Sequence, residues 1–399
     1  MKIAVMMRPI DQDNSFGVFT TNLLRTLLKM DRTNSYLLLY KEPKHFGRFA
    51  NFANAKELLL PSRHKLFWDQ FTVPLAAWRE RADIIYNPKF SVPFFSHCPV
   101  AMGLHEPAWW AIPEHHTWWD GVYMRTMLPF YCRKSSHFFP WTQFMLDENR
   151  KYLRFAFKNA TVTYTGLDAS FHRSYHPSDL NEFRRKHGLP EKFILSVTRV
   201  ENLGNKSAFF SGTKNVETTL RAFVQVRPRI PHQLVIVGRR VKEYLEHVGW
   251  NKSDFEGVHF TGFVPNEDLA KLYRLAALFV IPSFYEGCGI AMIEALASGC
   301  PVVASRTGSC AEVGGGAAIL ADPYDPSDFA TKMLDVLMNE KLEAELRRKS
   351  LERAAFFNWE RTARLTLKGL EDVVNKRRNE KTPTATASVV NKIRSQPGS

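Results

Sequence analysis

Two glutamates eight positions apart, Glu286 and Glu294, have the clearest chemical potential in this chain of 399 residues. Carboxylates accept charge-assisted hydrogen bonds from hydroxyl groups, and such bonds are stronger than neutral ones. If Glu286 precedes a helix that contains Glu294, a rise of about 1.5 Å per residue separates the two by roughly 8–12 Å. A nucleoside diphosphate-sugar spans that distance, with sugar hydroxyls at Glu286 and ribose hydroxyls at Glu294.

The residues around this pair predict a strand, a helix and a second strand in quick succession. The apolar run 276–281 ends at Pro282, helix formers fill 290–297, and another apolar run follows at 302–304. Only a parallel crossover joins two strands at such short range. Ligands bind at the carboxyl ends of strands in open parallel sheets, so we expect the turn 285–289 to lie at a ligand site.

The turn also has the chemistry of a phosphate-binding site. Unpaired N–H groups at the start of a helix, together with the helix dipole, attract anions, and glycines allow them to approach closely. The predicted donors are the amides of Gly287, Cys288, Gly289 and Ile290. The alternative is that Glu286 only complements the helix N-terminus and that Glu294 is a solvated helix residue.

The segment SFYEGCGIAMIEALASGCPVVAS, residues 283–305, resembles the donor-site signature of retaining glycosyltransferase family 4, which has paired glutamates at this spacing. The resemblance implies an α/β protein of the GT-B type, with two doubly wound Rossmann-like domains and a cleft between them. It also implies the transfer of a hexose from a nucleoside diphosphate-sugar with retention of anomeric configuration.

The resemblance extends to a basic pair. The apolar run 193–197 followed by Arg199 and Lys214 is similar to a family strand after which an arginine and a lysine hold the donor diphosphate. The intervening segment 200–213 is longer than the usual loop, so this chain departs from the common spacing at that point.

Other positions match the family more locally. Gly17 precedes an amphipathic helix and is the expected point of backbone approach to phosphate or sugar. His105 matches a histidine that contacts the donor sugar, and Glu106 stands where another acid usually follows. The main chain near Phe263 and Val264 corresponds to a strand end beside the nucleotide base, although any buried parallel strand has a similar sequence.

Length and composition predict about two domains, because 399 residues with 45% hydrophobic residues exceed one ordinary core. Short apolar runs alternate with helical segments. The first series of predicted strands is 2–6, 36–39, 58–60, 84–86, 100–102, 138–139 and 162–164; the second is 193–197, 234–238, 259–264, 276–281 and 302–304.

The domain boundaries follow from these two series. The predicted parts are an N-terminal acceptor domain 1–172, a C-terminal donor domain 173–355, a helix 356–375 that returns to the first domain, and a basic flexible tail 376–399. The tail is rich in polar residues and cannot bury enough apolar surface to order itself.

The formal net charge of +14 indicates an anionic partner. No recognisable nucleic-acid motif accompanies it, so no nucleic-acid partner is predicted. Seven of the nine tryptophans fall in the first 150 residues among basic residues: Trp68, Trp78, Trp109, Trp110, Trp118, Trp119 and Trp141. Amphipathic rings with basic neighbours suit peripheral contact with an anionic membrane or a lipid-linked acceptor. The alternative is that the rings fill the core.

The five cysteines have no paired short spacing, which argues against a disulfide framework or a zinc site. The chain has no apolar run of roughly 18 residues and no signal-peptide pattern at its start, so we expect a cytoplasmic protein, at most on the inner face of the membrane. The acidic groups at 11–13 and 322–328 have turn-like surroundings, and no metal and no cofactor are predicted because cations and helix amides already balance the donor phosphates.

The hypothesis is therefore a metal-independent retaining hexosyltransferase, with a mild preference for mannose and with a glycan or lipid-linked acceptor. The predicted catalytic residues are Glu286, His105, Lys214 and Arg199. A nucleotide-sugar epimerase, a sugar phosphorylase and a non-catalytic partner that binds nucleotide-sugar or membrane are the alternatives.

Overall fold

The computed structural model describes residues 1–12, 15–113, 116–198 and 213–381. Arg199, Asp13 and the predicted tail beyond Lys381 lie outside the described residues.

The N-terminal half forms one parallel sheet of six strands in the order β3-β2-β1-β4-β5-β6. The strands are β1 Lys2–Met6, β2 Ser35–Tyr40, β3 Ala55–Leu59, β4 Ile84–Asn87, β5 Val100–Leu104 and β6 His137–Pro140. Both faces are covered by helices, which is why several of these strands are apolar throughout.

The C-terminal half repeats this plan in the order β12-β11-β10-β7-β8-β9, again with parallel pairing throughout. Its strands are β7 Phe193–Val197, β8 Gln233–Val237, β9 Val258–Gly262, β10 Leu278–Ile281, β11 Val302–Ser305 and β12 Ala318–Ala321. In both sheets the first strand lies beside the fourth, and this change of direction opens a crevice at the carboxyl ends of the strands. The predicted α/β class with two doubly wound sheets is confirmed.

Helices connect the strands. In the first half they are α1 Ser15–Met30, α2 Lys65–Phe67, α3 Val73–Arg79, α4 Ala108–Ala111, α5 Trp118–Lys134, α6 Gln143–Leu153, α7 Ala169–His172 and α8 Pro177–Lys186, with a π-helical turn Trp68–Thr72 between α2 and α3. In the second half they are α9 Val216–Val226, α10 Val241–His247, α11 Asn266–Leu275, α12 Ile290–Ala297, α13 Cys310–Gly314, α14 Pro326–Leu337, α15 Glu340–Ala354 and α16 Trp359–Lys381.

The last helix, α16, crosses from the second half to the first. A side chain at Gly369 would lie 2.6 Å from the ring of Phe139 in β6, so the helix packs closely on the N-terminal sheet. Arg377 donates to the His97 carbonyl at 2.7 Å. The helix runs through Lys381, so the predicted boundary at 375 is too early and residues 376–381 are helical rather than part of a tail.

The predicted strand at 162–164 is wrong. Only a single parallel bridge, from Phe138 to Ala160, joins this segment to β6. Two further hydrogen bonds run alongside it, from the amides of Thr161 and Thr163 to the strand, and then Tyr164 takes a positive φ of 55°. The left-handed backbone at Tyr164 ends the extended run before a ladder forms.

Candidate active site between the two domains

The carboxyl ends of the two sheets border a cavity of about 560 Å³. Its C-terminal wall includes Lys214, Tyr285, Glu286 and Gly287. Its N-terminal wall includes the second residue beyond each of three strands, namely Arg8 after β1, Lys89 after β4 and Glu106 after β5. Parallel strands place all of these at one edge of each sheet, as the sequence predicts for the turn 285–289.

Lys214 and Glu286 form an ion pair at the C-terminal wall. Lys214 Nζ donates to Glu286 Oε2 at 2.5 Å, and Ser283 Oγ donates to the same oxygen at 3.3 Å. Burial lowers the pKa of Lys214, but the adjacent Glu286 carboxylate outweighs it, so the net pKa is raised and the ammonium stays charged. The structure thus brings together two predicted residues that are 72 positions apart.

Glu286 is held from both sides of the turn. Its Oε1 accepts from the Gly289 amide at 3.1 Å, and Gly289 has a φ of +66° as the residue before α12. Its carbonyl accepts from the Ser309 amide at 2.9 Å. A side chain at Gly308, where φ is +65°, would lie 2.7 Å from that carbonyl. Sequence reasoning missed Gly308, although a glycine three residues after the end of β11 was a usable signal.

The other turn residues have different surroundings from those predicted. A side chain at Gly287 would lie 2.6 Å from Glu106 Oε2 and 2.9 Å from Met145 Cε. The absence of a side chain at this position therefore allows the N-terminal domain to pack closely on the turn. Thr142 Oγ1 donates to the Gly287 carbonyl at 2.8 Å. Cys288 is buried, and burial raises the pKa of its thiol. Ile290 begins α12.

A second contact between the domains involves Glu312 in α13. Its two carboxylate oxygens accept from the amides of Gln143 at 2.7 Å and Phe144 at 2.9 Å, at the first turn of α6. A carboxylate at a helix N-terminus satisfies unpaired donors and complements the helix dipole. Together with the Thr142 contact, this bond holds the two walls of the cavity together.

Glu106 is a cavity residue that sequence reasoning noted only as a departure from the family. Burial, with a smaller contribution from the Glu286 charge, raises the pKa of its carboxyl to about 7 against the opposing effects of a backbone hydrogen bond and of Lys214. Near neutral pH this group is therefore divided between its acid and its carboxylate forms.

Glu294 lies in α12 with its carboxyl near the hydroxyl of Tyr273, which donates to Oε2 at 3.3 Å. Burial raises the pKa of Glu294 to about 8. The group is therefore mostly protonated at neutral pH, and its contact with ribose hydroxyls stays a prediction. Glu294 is half-buried rather than fully solvated.

His105 is only 1% exposed and is enclosed by the rings of Phe16, Phe90 and Trp141. Its Nε2 lies 3.1 Å from the Pro88 carbonyl, and its Nδ1 has no partner within the part of the chain that the structure describes. Burial lowers its pKa to about 3, so the ring is neutral. A contact between His105 and a sugar requires these rings to move.

The remaining predicted residues, Gly17, Phe263 and Val264, lie at the margins of the cavity. A side chain at Gly17, in the first turn of α1, would lie 2.3 Å from the Gln12 carbonyl, so the packing of its own loop explains this glycine. Phe263 and Val264 follow β9, and the guanidinium of Arg239 stacks 4.6 Å from the Phe263 ring, which is 63% exposed.

The acidic group at 322–328 has structural partners. Arg306 pairs with Asp322 at 3.1 Å and Asp328 at 3.6 Å, and Asp325 accepts from the Ser327 amide at the start of α14. Within the described ranges, no group of three or more His, Cys, Asp or Glu residues has the arrangement of a metal site.

Solved structures with the same arrangement identify the fold class. A glycosyltransferase from Rickettsia africae superposes with a TM-score of 0.70 at 11% identity, covering 94% of this chain and 98% of that one. Sucrose-phosphate synthase from Thermosynechococcus elongatus gives 0.68 at 17% identity, with 94% and 100% covered. Anabaena HepE in complex with UDP and glucose gives 0.65 at 17% identity, with 93% and 100% covered. The chain therefore has the two-domain GT-B fold.

Sequence comparisons agree for the C-terminal half. Residues 203–339 match the family model described as Glycosyl transferases group 1. The serotype-specific mannosyltransferase WbdA of Escherichia coli is 30% identical over 206 residues, which is 49% of this chain and 23% of that protein. The O-antigen chain mannosyltransferase B of Escherichia coli is 34% identical over 170 residues, 40% of this chain and 44% of that protein. The chain thus spans less than half the length of these relatives.

Proposed function

We propose that this protein is a retaining, metal-independent glycosyltransferase that moves a hexose from a nucleoside diphosphate-sugar to a glycan or lipid-linked acceptor. The observation that carries the proposal is the Lys214–Glu286 ion pair beside the glycine turn, in a cavity between two doubly wound domains. The group 1 family match over residues 203–339 supports the same conclusion.

The chemical task of such an enzyme is to stabilise a departing diphosphate while positive charge develops at the anomeric carbon. Lys214 and the amides of Gly287, Cys288 and Ile290 would neutralise the leaving group, which preorganised electrostatics achieve without proton transfer. The Gly289 amide would join them only on leaving Glu286 Oε1. Glu286 would orient the sugar hydroxyls. Arg199 lies outside the described residues, and its contact with the diphosphate stays a prediction. No metal and no cofactor beyond the nucleotide-sugar are part of this proposal.

The approach of the two domains would exclude water that otherwise hydrolyses the donor. The contacts from Thr142 to Gly287 and from Glu312 to the start of α6 support a closed arrangement of this kind. His105 would join the sugar site only after its aromatic enclosure opens, whereas Glu106 already lines the cavity.

Mannose is our preferred sugar, with GDP-mannose as the donor. Two relatives are named as mannosyltransferases, one of them of the O-antigen chain, which supports a role in polysaccharide biosynthesis. A solved neighbour of the same fold holds UDP and glucose, so UDP-hexoses are the next candidates.

A screen of nucleotide-sugars by thermal unfolding tests the proposal. A ligand at about 100 times its dissociation constant adds roughly 2.7 kcal/mol to folding. We expect GDP-mannose, or failing that a UDP-hexose, to raise the melting temperature of the full chain. No shift with any nucleotide-sugar would contradict the proposal.

A product assay then separates the alternatives. The stabilising donor is incubated with and without a glycan acceptor, and the anomeric configuration of the new linkage is read by NMR. An epimerase changes the donor sugar without any acceptor, a sugar phosphorylase consumes inorganic phosphate, and a binding protein shows a thermal shift without product.

We also propose that the N-terminal domain contacts an anionic membrane from the cytoplasmic side. The tryptophans divide between the two interpretations, since Trp68 and Trp141 are buried in the core while Trp78, Trp118 and Trp119 are 61%, 68% and 73% exposed. The segment 65–79 adds further large exposed side chains, namely Leu66, Phe67, Phe71 and Leu75. Exposed aromatic and aliphatic side chains on one helical segment are typical of interfacial contact.

Among the helices that the structure describes, none is both long and apolar enough to cross a bilayer. Sedimentation with vesicles of phosphatidylglycerol and phosphatidylcholine tests the peripheral contact. The variant Phe67→Ser/Trp78→Ser should bind these vesicles at least tenfold more weakly than the wild type. Met338→Ser, at a 61% exposed position of the other domain, is the control. Equal binding by all three proteins would contradict the contact.

A further inference from the structure

The N-terminal wall of the cavity carries a cluster of cations that the proposed donor site does not use. Its members are Arg8, Lys65 and Lys89. They come from three separate places in the chain, since Arg8 follows β1, Lys89 follows β4 and Lys65 begins α2. The fold therefore assembles this basic cluster, and the opposite wall holds the Lys214–Glu286 pair.

Arg8 is the innermost cation of the basic cluster. Its Nη2 lies 3.4 Å from Asp69 Oδ2, and its Nε is buried without a partner in the described part of the chain. Asp69 is completely buried, and burial raises the pKa of its carboxyl despite the neighbouring Arg8 charge. Among the described residues, the Nε–H of the guanidinium is therefore an unused donor, while Nη2 also donates to Ser91 Oγ at 3.4 Å.

The two lysines have weaker partners. Lys89 Nζ donates to the amide oxygen of Gln12 at 2.7 Å and lies 4.5 Å from the centre of the Phe16 ring. Lys65 Nζ lies 5.8 Å from the centre of the Tyr123 ring. Among the described residues, neither lysine has a carboxylate as an ion-pair partner.

The three cations influence one another. Burial, together with the charges of Arg8 and Lys65, lowers the pKa of Lys89 to about 8. Burial and Arg8 also lower the pKa of Lys65, against the attraction of Asp69 and Asp120. Asp120 is already engaged, because Thr117 Oγ1 donates to it at 2.7 Å at the start of α5. Like charges gathered at one end of a cavity are stabilised when an anion binds among them.

Aromatic rings border the same end of the cavity, among them Phe90, Trp109 and Tyr131. Flat rings beside cations suit a ligand with both a saccharide and an anionic group, because the rings offer apolar contact and the cations bind the charge. The described carboxylates near this wall, Asp69, Asp120 and Glu106, form no ion pair with either lysine, so an anion from outside the chain would supply the missing partner.

We propose that the basic cluster binds a phosphate group of the acceptor, and thus that the acceptor is a phosphate-bearing saccharide. This inference rests on the proposed function, which assigns the donor to the opposite wall. Lys65 is followed directly by the exposed Leu66 and Phe67. In an acceptor whose phosphate links an apolar chain to a saccharide, the phosphate would lie at the basic cluster and the apolar chain at these two side chains. A soluble phosphorylated saccharide offers the same phosphate chemistry.

Calorimetric titration of the full chain tests this proposal, with GDP and UDP present at saturating concentrations to occupy the donor wall. The probes are farnesyl diphosphate, mannose 6-phosphate and the uncharged octyl α-mannoside. We expect at least one phosphate probe to bind ten times more tightly than octyl α-mannoside. The double variant Lys65→Gln/Lys89→Gln should weaken that binding about tenfold or more, as expected when charge-assisted bonds are lost.

Lys349→Gln is the matched control, since Lys349 lies on the surface of α15 and pairs only with Glu345 among the described residues. Preference for farnesyl diphosphate indicates a lipid-linked acceptor, and preference for mannose 6-phosphate indicates a soluble one. Equal binding of charged and uncharged probes, or unchanged binding by the double variant, would overturn the proposal. GDP and UDP binding reports on the donor wall, so failure of both to bind the wild type would count against the proposed function. The double variant alters only the basic cluster, so its phosphate binding tests this proposal separately.

Discussion

The two halves of the molecule have the same strand order but opposite ways of building their walls of the cavity. The C-terminal wall uses main chain: Gly289 and Gly308 take positive φ angles, and Glu286 is tied to backbone amides on both sides. The N-terminal wall uses side chains, with cations and aromatic rings projecting from Arg8, Lys89 and their neighbours.

The difference follows from what each wall is proposed to bind. A diphosphate is the same in every nucleoside diphosphate-sugar, so fixed amides and one lysine are sufficient to hold it. Acceptors differ in shape and charge, and side chains can match them individually. One sheet topology thus supports a general site and a specific one, because function depends on the residues at the strand ends rather than on the fold.

The largest expected effect is at the C-terminal wall. Glu286→Ala and Lys214→Ala should each lower kcat/KM by about 10²-fold or more, because each removes a charge that acts in the transition state. The measurement is the initial rate of sugar transfer, with Glu340→Ala on the exposed start of α15 as the control. If both variants transferred sugar at rates within a fewfold of wild type, the assignment of the donor to the C-terminal wall would be wrong.

One close-packed glycine beside each wall, Gly17 and Gly308, allows the stability of the two walls to be compared. Gly17→Ala would place a methyl group 2.3 Å from the Gln12 carbonyl, and Gly308→Ala would place one 2.7 Å from the Glu286 carbonyl. Overpacking costs about 1–3 kcal/mol, and the positive φ of Gly308 adds roughly 1–2 kcal/mol.

We therefore expect both variants to unfold at lower urea concentration, with Gly308→Ala the less stable of the two. Gly121→Ala is the control, because a side chain at that helical position would meet nothing within 4 Å. A Gly308→Ala protein as stable as the Gly121→Ala protein would show that the turn around Glu286 is not fixed as described.

The carboxyls of the two walls predict a pH dependence. Folding raises the pKa of Glu106 to about 7 and that of Glu294 to about 8. These two carboxyls thus bind more protons in the folded state than in the unfolded state, and the free energy of unfolding should fall as the pH rises from about 7 to 8. Buried His105 and His137 have lowered pKa values of about 3 and 4, so they oppose this slope mainly at and below the unfolded histidine pKa of 6.5.

Urea titrations of the ligand-free chain at several pH values measure this slope. Glu294→Gln and Glu106→Gln should each make it shallower, because the amide does not titrate. The same slope in wild type and both variants would mean that neither carboxyl is protonated differently in the folded state.

The smallest effect is expected at the junction of the walls. Glu312→Gln removes the charge from the start of α6 and should lower stability by about 0.3–1 kcal/mol. A differential scanning calorimeter should record a fall of roughly 1–4 °C in the melting temperature of the full chain. Glu182→Gln on the exposed face of α8 is the control, and an unchanged melting temperature would show that the Glu312 contact does not hold the domains together.

Much of the fold follows from local patterns. The strands at 2–6 and 193–197 and the helix at 290–297 have the predicted limits, because apolar runs of the right period end at clear breakers such as Pro282 and Gly299. The error at 162–164 has a different cause. Val162, Thr163 and Tyr164 are strand-forming residue types, but Tyr164 takes a positive φ that ends the extended backbone.

What the sequence determined by itself is the chemistry that adjacent residues share. Glu286, the glycines of its turn and the helix that follows are contiguous, so period and spacing were sufficient to place them together. Tertiary structure alone decided which distant residues meet: Lys214 at Glu286, Glu106 at Gly287, and the three cations of the basic cluster. Burial also decided the protonation of Glu294 and His105, because the free energy of a charge depends on the dielectric and the neighbours around it, which no linear pattern contains.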